Sequence, residues 1–131
     1  MNRKVIVAGI LKDGENFLIV KRKNNDELFP GRWEFPGGHL EDAETISDAL
    51  SREVREEVGY NQSFDAKIVN YTDAITNDFD TKLYVVELDF VIEVNKNDFV
   101  VTLSEEHDEY KWVRKDSESL TEEVRNRLKN A

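Results

Sequence analysis

The sequence predicts an α/β fold on the basis of three observations. Four runs with strand character occur in two pairs, at 4–11 and 17–23 and again at 66–76 and 82–94. Between the pairs, residues 45–58 repeat apolar side chains at the spacing of an amphipathic helix, and a second helical pattern occupies 119–128. A length of 131 residues with 39% hydrophobic content suits one globular domain, which we expect to span 1–131.

The first pair of runs is expected to form a β-hairpin. Asp13 and Gly14 lie between the two runs and provide a turn signal. The second strand ends in three cations, Lys21, Arg22 and Lys23. A solvated strand end and a contact with a substrate phosphate both account for them, and the residues alone do not decide between the two.

A polar segment at 24–31 leads from the hairpin to a glycine pair. It turns at Pro30 and Gly31, and Trp33-Glu34-Phe35-Pro36-Gly37-Gly38 follows. Two adjacent glycines allow the backbone to approach a ligand closely, and the proline fixes the direction of the chain that enters them. Taken alone, this segment predicts a tight turn.

The central helix carries three closely spaced carboxylates. Its apolar positions are Ile46, Ala49, Leu50, Val54 and Val58, and Gly59 is placed to end it. Glu53, Glu56 and Glu57 lie at i, i+3 and i+4, and Glu53 and Glu57 project toward the apolar side of the helix. We therefore expect these two carboxylates to be buried.

Two arrangements can stabilise this cluster of carboxylates. Like charges at i and i+4 cost an isolated helix roughly 0.2–0.5 kcal/mol per pair, and burial raises the cost. A divalent cation would offset both effects. Because the chain has no cysteine and only His39 and His107 as imidazoles, oxygen ligands and hence Mg²⁺ or Mn²⁺ are favoured over zinc. The alternative is a set of salt bridges from Arg52 and Arg55.

The second pair of runs predicts two antiparallel strands joined by 77–80. Their buried face is expected to consist of Leu83, Val85, Val86, Leu88, Phe90 and Ile92. A loop at 95–98 and an acidic stretch at 104–109 precede a last short strand at 109–114. The final helix is expected at 119–128, opened by Ser119-Leu120-Thr121-Glu122 as a capping box.

The net charge of −10 limits the partners of this protein. It argues against stable binding to nucleic acid, where Lys and Arg contacts to phosphate supply the affinity. It would also repel a free nucleotide unless cations were present at the site. The apolar run at 5–11 is too short for a membrane span, and the absence of cysteine fits a reducing compartment, so we expect a cytoplasmic protein. The oligomeric state, monomer or homodimer, is left open.

The residues between Gly38 and Tyr60 carry a family resemblance. Gly38, Glu44 and Arg52-Glu53-Val54-x-Glu56-Glu57-x-Gly59-Tyr60 resemble the signature of the Nudix hydrolase family, with Tyr60 standing where an aliphatic residue is usual. The stretch from Trp33 to Gly38 resembles the MutT branch of that family. The resemblance implies a Nudix α/β/α sandwich, in which the signature helix and the C-terminal helix pack on a mixed β-sheet.

The resemblance also implies a reaction and a metal site. The expected reaction is Mg²⁺-dependent attack of water on phosphorus of a nucleoside triphosphate, with modified purine nucleotides among the candidates, giving a monophosphate and pyrophosphate. Mn²⁺ is the alternative metal. The implied ligands are Glu53, Glu56, Glu57 and the carbonyl of Gly37, with Arg52 orienting the carboxylates. The role of Glu44 is left open.

Further site residues follow from the same resemblance. The candidates for substrate binding are Arg22, Lys23, Phe35 and Gly38, with Phe35 beside the purine. Glu106, six residues before Trp112, matches a further carboxylate that acts as metal ligand or as general base. His107 is the second candidate for the base, and a loop histidine in contact with solvent is its neutral alternative. The asparagine that MutT relatives use near the C-terminal helix has no unambiguous match in this chain, and Asn126 is a candidate for it.

Two other functions remain open. Hydrolases of sugar nucleotides in this family tend to carry a proline some fifteen residues beyond the signature, where this chain has Ile75 and Thr76. A nucleotide-binding module without catalytic activity would be expected to have lost carboxylates of the signature, and this chain retains them. Both observations favour the pyrophosphohydrolase.

Overall fold

The computed structural model describes residues 1–77 and 79–131 in full and the backbone alone of Asp78. In chain order the elements are β1 (Asn2–Asp13), β2 (Asn16–Arg22), β3 (Trp33–Glu34), β4 (Gly37–His39), α1 (Ile46–Val58), β5 (Ala66–Asp78), β6 (Thr81–Glu93), β7 (His107–Val113) and α2 (Glu122–Leu128). The two helices have 13 and 7 residues, each shorter than the ~20 that a membrane-spanning helix needs.

The strands form one mixed sheet in the order β3-β2-β1-β6-β5, with β4 paired to β1 and β7 paired to β2. β1 and β6 run parallel, whereas β1–β2 and β5–β6 are antiparallel. The first hairpin pairs only next to its turn, at Lys12 with Phe17 and Asp13 with Asn16. Beyond that point β2 separates from β1, and β4 pairs with β1 at Ile6–Ala8. The separated hairpin therefore places the glycine pair inside the sheet.

Apolar residues on both faces of the sheet form two cores. In β1 the side chains alternate, so that Val7 and Leu11 belong to one core and Ala8 and Ile10 to the other. The first core includes Ala49, Leu50, Val54 and Val58 of α1. The second includes Leu120, Val124 and Leu128 at and around α2. The arrangement confirms the α/β/α sandwich.

The predicted central helix is confirmed with its ends. The hydroxyl of Thr45 accepts a hydrogen bond from the backbone N–H of Asp48 (3.1 Å) and caps the helix. Gly59 ends it in the left-handed conformation, at φ 79°. Ile46, which was expected in the buried stripe, is 39% exposed because it occupies the first helical position, at the margin of the core.

Three predictions about the later elements were wrong in detail. The proposed buried face of β6 combined Val85 with Val86, but adjacent residues point to opposite sides of a strand, and Asp89 is buried there as well. The last strand begins at His107 rather than at 109. The final helix begins after Thr121 and not at Ser119, because Thr121 has extended backbone angles and its hydroxyl caps Val124.

Candidate active site

Two of the three clustered carboxylates lie beneath the glycine pair. Glu53 and Glu57 are buried, with 8% and 5% of their surface exposed, whereas Glu56 is exposed. The backbone N–H of Gly37 donates a 2.8 Å hydrogen bond to Oε1 of Glu57. A Cβ atom built on Gly38 would lie 2.4 Å from Oε1 of Glu53, so only glycine allows β4 to approach the helix this closely.

Glu57 carries the most perturbed carboxyl group of the site. Burial raises its pKa to about 9, the charges of Glu53, Glu106 and Glu34 add to the rise, and the hydrogen bond from Gly37 opposes it. Among the described residues, no Lys or Arg side chain forms an ion pair with Glu57. Its ionised form therefore lacks a compensating cation.

Arg52 organises the other two carboxylates of the cluster. Its guanidinium donates to Glu44 through two hydrogen bonds of 2.7 and 2.9 Å, and to Glu53 at 2.8 Å and Glu56 at 3.4 Å. Nη2, one of the two nitrogens that donate to Glu44, also donates to the backbone carbonyl of His39 at 3.0 Å. The alternative that salt bridges stabilise the cluster therefore holds for Glu53 and Glu56, but Arg52 forms no salt bridge with Glu57.

The contacts of Glu44 indicate a structural role, which the sequence had left open. Because its carboxylate holds Arg52 through a two-point contact, the pKa of Glu44 falls to about 2. Burial raises the pKa of Glu53, and the contact with Arg52 offsets part of the rise. Glu44 therefore fixes the loop before α1 to the arginine that lies between the carboxylates.

The loop before β7 brings a further carboxylate to Glu57. Single ligand atoms of Glu57, Glu106 and His107 lie within 4.8 Å of one another. Glu106 is exposed, as expected of a loop residue. The alternative that His107 contacts solvent was wrong: only 2% of its surface is exposed, and its Nε2 lies 2.8 Å from Oε2 of Glu34. The antiparallel pairing of β2 with β7 buries this histidine beside Arg22.

The donor atoms at this position fit a divalent cation. The carboxylate oxygens of Glu57 and Glu106 suit a hard divalent ion, whereas the imidazole of His107 is a softer ligand. Glu57 also lacks a Lys or Arg partner within the described chain. Nδ1 of His107 is buried and has no hydrogen-bond partner among the described atoms. Glu53 and Glu56 are held by Arg52 in this conformation, so a cation bound by all three glutamates would share them with the guanidinium.

A cleft of about 570 Å³ leads away from these carboxylates. It is lined by Gly37, Gly38 and Arg22 at one part and by Arg127 of α2 at another. Arg22 is fixed by Glu34 (3.0 Å) and Asp26 (3.1 Å). The cleft therefore extends from the glycine pair, which covers Glu53 and Glu57, to a basic residue of the second helix.

The other predicted substrate residues have different positions. The backbone N–H of Lys23 donates to the carbonyl of Glu106 at 3.3 Å, which ties the end of β2 to the acidic loop. Phe35 is only 3% exposed, and the guanidinium of Arg127 lies 4.9 Å from its ring centroid. Asn126 is exposed on α2 and lines a separate cavity.

Sequence reasoning missed three charged residues around the cleft. Glu34 joins Arg22 to His107, and Asp89 binds Arg127. Burial raises the pKa of Glu34, but hydrogen bonds from His107 and Arg22 outweigh this and leave it below its usual value. The available signal was the presence of single acidic residues at inward positions of otherwise apolar or aromatic strands, since a buried acid needs a partner.

Comparison with known proteins agrees with this geometry. The NUDIX domain model matches residues 2–130. The nucleoside triphosphatase NudI of Enterobacter sp. (strain 638) is 30% identical over 128 residues, which cover 89% of this chain and 86% of that protein. NudI of Escherichia coli O17:K52:H18 (strain UMN026 / ExPEC) is 31% identical over 124 residues, covering 87% and 84%.

Solved structures share the architecture. The MutT protein from Methanosarcina mazei Go1 has a TM-score of 0.70 and 25% identity, and the match covers 95% of this chain and 89% of that one. A MutT NUDIX hydrolase from Burkholderia pseudomallei has a TM-score of 0.76 at 22% identity, with coverage of 99% and 98%, and supports the fold alone.

Proposed function

This chain belongs to the NUDIX family and is a Nudix hydrolase of the MutT-like type, and we propose that it hydrolyses nucleoside triphosphates. As a single domain, it would use Mg²⁺, with Mn²⁺ as a substitute, to convert a nucleoside triphosphate and water into a monophosphate and pyrophosphate. The NudI relatives named as nucleoside triphosphatases support this choice of substrate class.

The observation that carries the proposal is the state of Glu57. A buried carboxyl group with a pKa of about 9 and no cationic partner within the described chain is costly to ionise. A bound divalent ion removes that cost, and it also neutralises a polyphosphate in a protein whose net charge is −10. The same group therefore explains how an acidic protein accepts an acidic substrate.

In this proposal each residue of the cluster has a defined task. Glu53, Glu56, Glu57, Glu106 and the carbonyl of Gly37 hold the cation. When bound, a divalent cation supplies charge to the phosphate oxygens and lowers the pKa of the attacking water. Arg52, itself held by Glu44, keeps Glu53 and Glu56 oriented toward the site. Glu106, which is exposed in the loop before β7, is also the candidate general base that would accept the proton of the water.

The substrate would lie in the cleft that begins at the glycine pair. Gly38 allows close approach because it has no side chain, Arg22 lines the cleft, and Arg22 and its neighbour Lys23 would supply positive charge to the phosphates. Because Glu34 and Asp26 already fix Arg22, it is pre-oriented rather than mobile. Phe35 supports the base end of the cleft from the core, since its ring is almost fully buried.

A nucleotide panel with product analysis by ³¹P NMR tests this function. With Mg²⁺ present, nucleoside triphosphates should give monophosphate and pyrophosphate, and chelation of the metal should stop the reaction. Release of single phosphate would contradict the proposed position of attack. Faster turnover of ADP-ribose would instead favour the sugar-nucleotide alternative.

A further inference from the structure

A second charge network surrounds Arg127, which lines both the cleft and the neighbouring cavity that contains Asp89 and Asn70. Arg127 donates to both oxygens of Asp89, from Nε at 3.0 Å and from Nη2 at 2.6 Å. Asp89 also accepts from the side chain of Asn70 at 3.0 Å, and the same amide donates to the backbone carbonyl of Arg127 at 2.7 Å. The two hydrogen bonds to Asp89 therefore hold the guanidinium in position, and Asn70 links Asp89 to the backbone of Arg127.

One nitrogen of this guanidinium, Nη1, still has N–H groups that can donate to a ligand. Nη1 of Arg127 lies 3.6 Å from Glu123, which is beyond hydrogen-bond distance, and Glu123 is already bound by Arg32 at 3.0 Å. The Arg127 side chain is 19% exposed and lines the cleft. A fixed N–H donor is thus available to a ligand in the cleft.

The charge around Arg127 decides which kind of ligand group it suits. Asp89, Glu123 and Glu87 all act on this arginine. Since these three carboxylates outnumber the two guanidinium groups beside them, those of Arg127 and Arg32, the position has no surplus positive charge with which to attract a phosphate or a carboxylate. A neutral acceptor, such as a carbonyl oxygen, fits a donor of this kind, whereas an amino group would place two donors against each other.

One cleft connects the glycine pair with Arg127. Gly37, Gly38, Phe35 and Arg127 all line it, and the Arg127 guanidinium lies 4.9 Å from the Phe35 ring centroid. A substrate whose phosphates lie at Gly37 and Gly38 would extend its base along the same cleft toward Arg127.

We propose that Arg127 is a specificity-determining residue that selects nucleobases with a keto group over those with an amino group at the equivalent position. This inference rests on the proposed hydrolysis of nucleoside triphosphates and adds a substrate class to it. Keto and amino groups are the features by which side-chain donors distinguish bases. Substrates of the hypoxanthine and uracil type should accordingly be preferred to their adenine and cytosine counterparts.

The test compares kcat/KM for two matched substrate pairs, ITP with ATP and UTP with CTP. For the wild type we expect the keto member of each pair to be favoured by roughly tenfold or more, as for a well-placed donor. Purine riboside triphosphate, which has only hydrogen at C6, should lose the advantage of ITP. Arg127→Lys keeps a positive charge beside Asp89 but removes the planar guanidinium with its fixed N–H donors. The ratio of kcat/KM for the keto substrate to that for the amino substrate should therefore fall toward one.

A second variant and a control protect the result from effects on folding. The double variant Asp89→Asn with Arg127→Gln removes both charges together and should also lower the ratio. Arg125→Lys, on the exposed side of the same helix, should keep it. Equal efficiency on both members of each pair, or a ratio that survives in the folded Arg127 variants, would overturn the inference. Failure to hydrolyse any nucleoside triphosphate would instead overturn the proposed function.

Discussion

Glu53 and Glu57 lie one turn apart on α1, yet their electrostatic environments differ. Glu53 receives a 2.8 Å hydrogen bond from Arg52, whereas the described contact of Glu57 is with the backbone N–H of Gly37. A backbone dipole compensates a buried charge less well than a guanidinium does. We therefore expect a bound metal ion to have its largest effect on the free energy of unfolding at Glu57.

Replacing Glu57 with glutamine separates the metal site from the fold. Because Glu57→Gln removes a carboxyl group with no cationic partner among the described residues, the metal-free variant should melt at the wild-type temperature or slightly above it. Its hydrolytic rate should fall by about 100-fold or more. Mg²⁺ should raise the melting temperature of the wild type, since it binds only the folded chain.

Scanning calorimetry and steady-state kinetics measure both effects, with Glu118→Gln as a matched control at an exposed loop position. If the metal-free Glu57→Gln protein were clearly destabilised and Mg²⁺ did not shift the wild type, salt bridges would explain the acidic helix better than a metal does.

Glu106 and His107 are neighbours in sequence but differ in burial, and this allows their roles to be separated. Glu106→Gln should lower kcat by more than tenfold and leave the melting temperature unchanged, because the residue is exposed. His107→Ala should lower the melting temperature, because it leaves a cavity and removes the partner of Glu34. Kinetic measurements below the melting temperatures of both variants show whether Glu106 or His107 is needed for hydrolysis. An active Glu106→Gln protein alongside an inactive, folded His107→Ala protein would reassign the base.

At the scale of elements, the contact between β4 and α1 leaves no room for added volume at Gly38. In Gly38→Ala the new methyl group would meet Oε1 of Glu53 at 2.4 Å, so the carboxylate or the strand must move. We expect hydrolysis to fall at least tenfold while far-ultraviolet circular dichroism stays unchanged.

Gly14→Ala is the control for Gly38→Ala. Its added methyl group meets nothing within 4 Å, although φ of +58° makes it cost some stability. Equal activity of the two variants would show that the close approach of β4 has no part in the site.

The sequence predicted the elements whose signals are local. α1 was predicted with both ends because Thr45, the apolar spacing and Gly59 all lie within one short stretch. The parallel pairing of β1 with β6 and the separation of β2 from β1 have no local signal, since they depend on partners that are distant in sequence, such as Leu83 for Asn2 and Gly37 for Ala8. The late start of α2 was missed because both Ser119 and Thr121 are good capping residues, and tertiary packing selects between them.

The candidate site shows the same difference between features with a local sequence signal and features that depend on distant residues. Spacing on one helix was enough to predict that Glu53 and Glu57 are buried. The contacts of His107 with Glu34 and of Arg127 with Asp89 join residues far apart in the chain, so each residue could be read only as a single charge. Phe35 was expected beside the base, and the structure places a guanidinium over its ring.

Across the whole molecule, Glu57 gives stability a defined dependence on pH. Its pKa is raised from 4.5 to about 9 in the folded protein, so between these values the folded state binds more protons than the unfolded state. The contribution is fully present below about pH 4.5 and is lost as pH rises through 9. Without metal, the melting temperature should fall across this range, and Glu57→Gln should reduce the fall. Parallel slopes for wild type and variant would contradict this.

The central claim is that the carboxylates around Glu57 bind a divalent cation. The most direct measurement is a Mn²⁺ titration followed by electron paramagnetic resonance, which reports free Mn²⁺, on wild-type protein, Glu57→Gln and Glu118→Gln. We predict saturable binding to the wild type and to Glu118→Gln, and binding at least tenfold weaker to Glu57→Gln. No binding to the wild type, or equal binding to all three proteins, would contradict the claim.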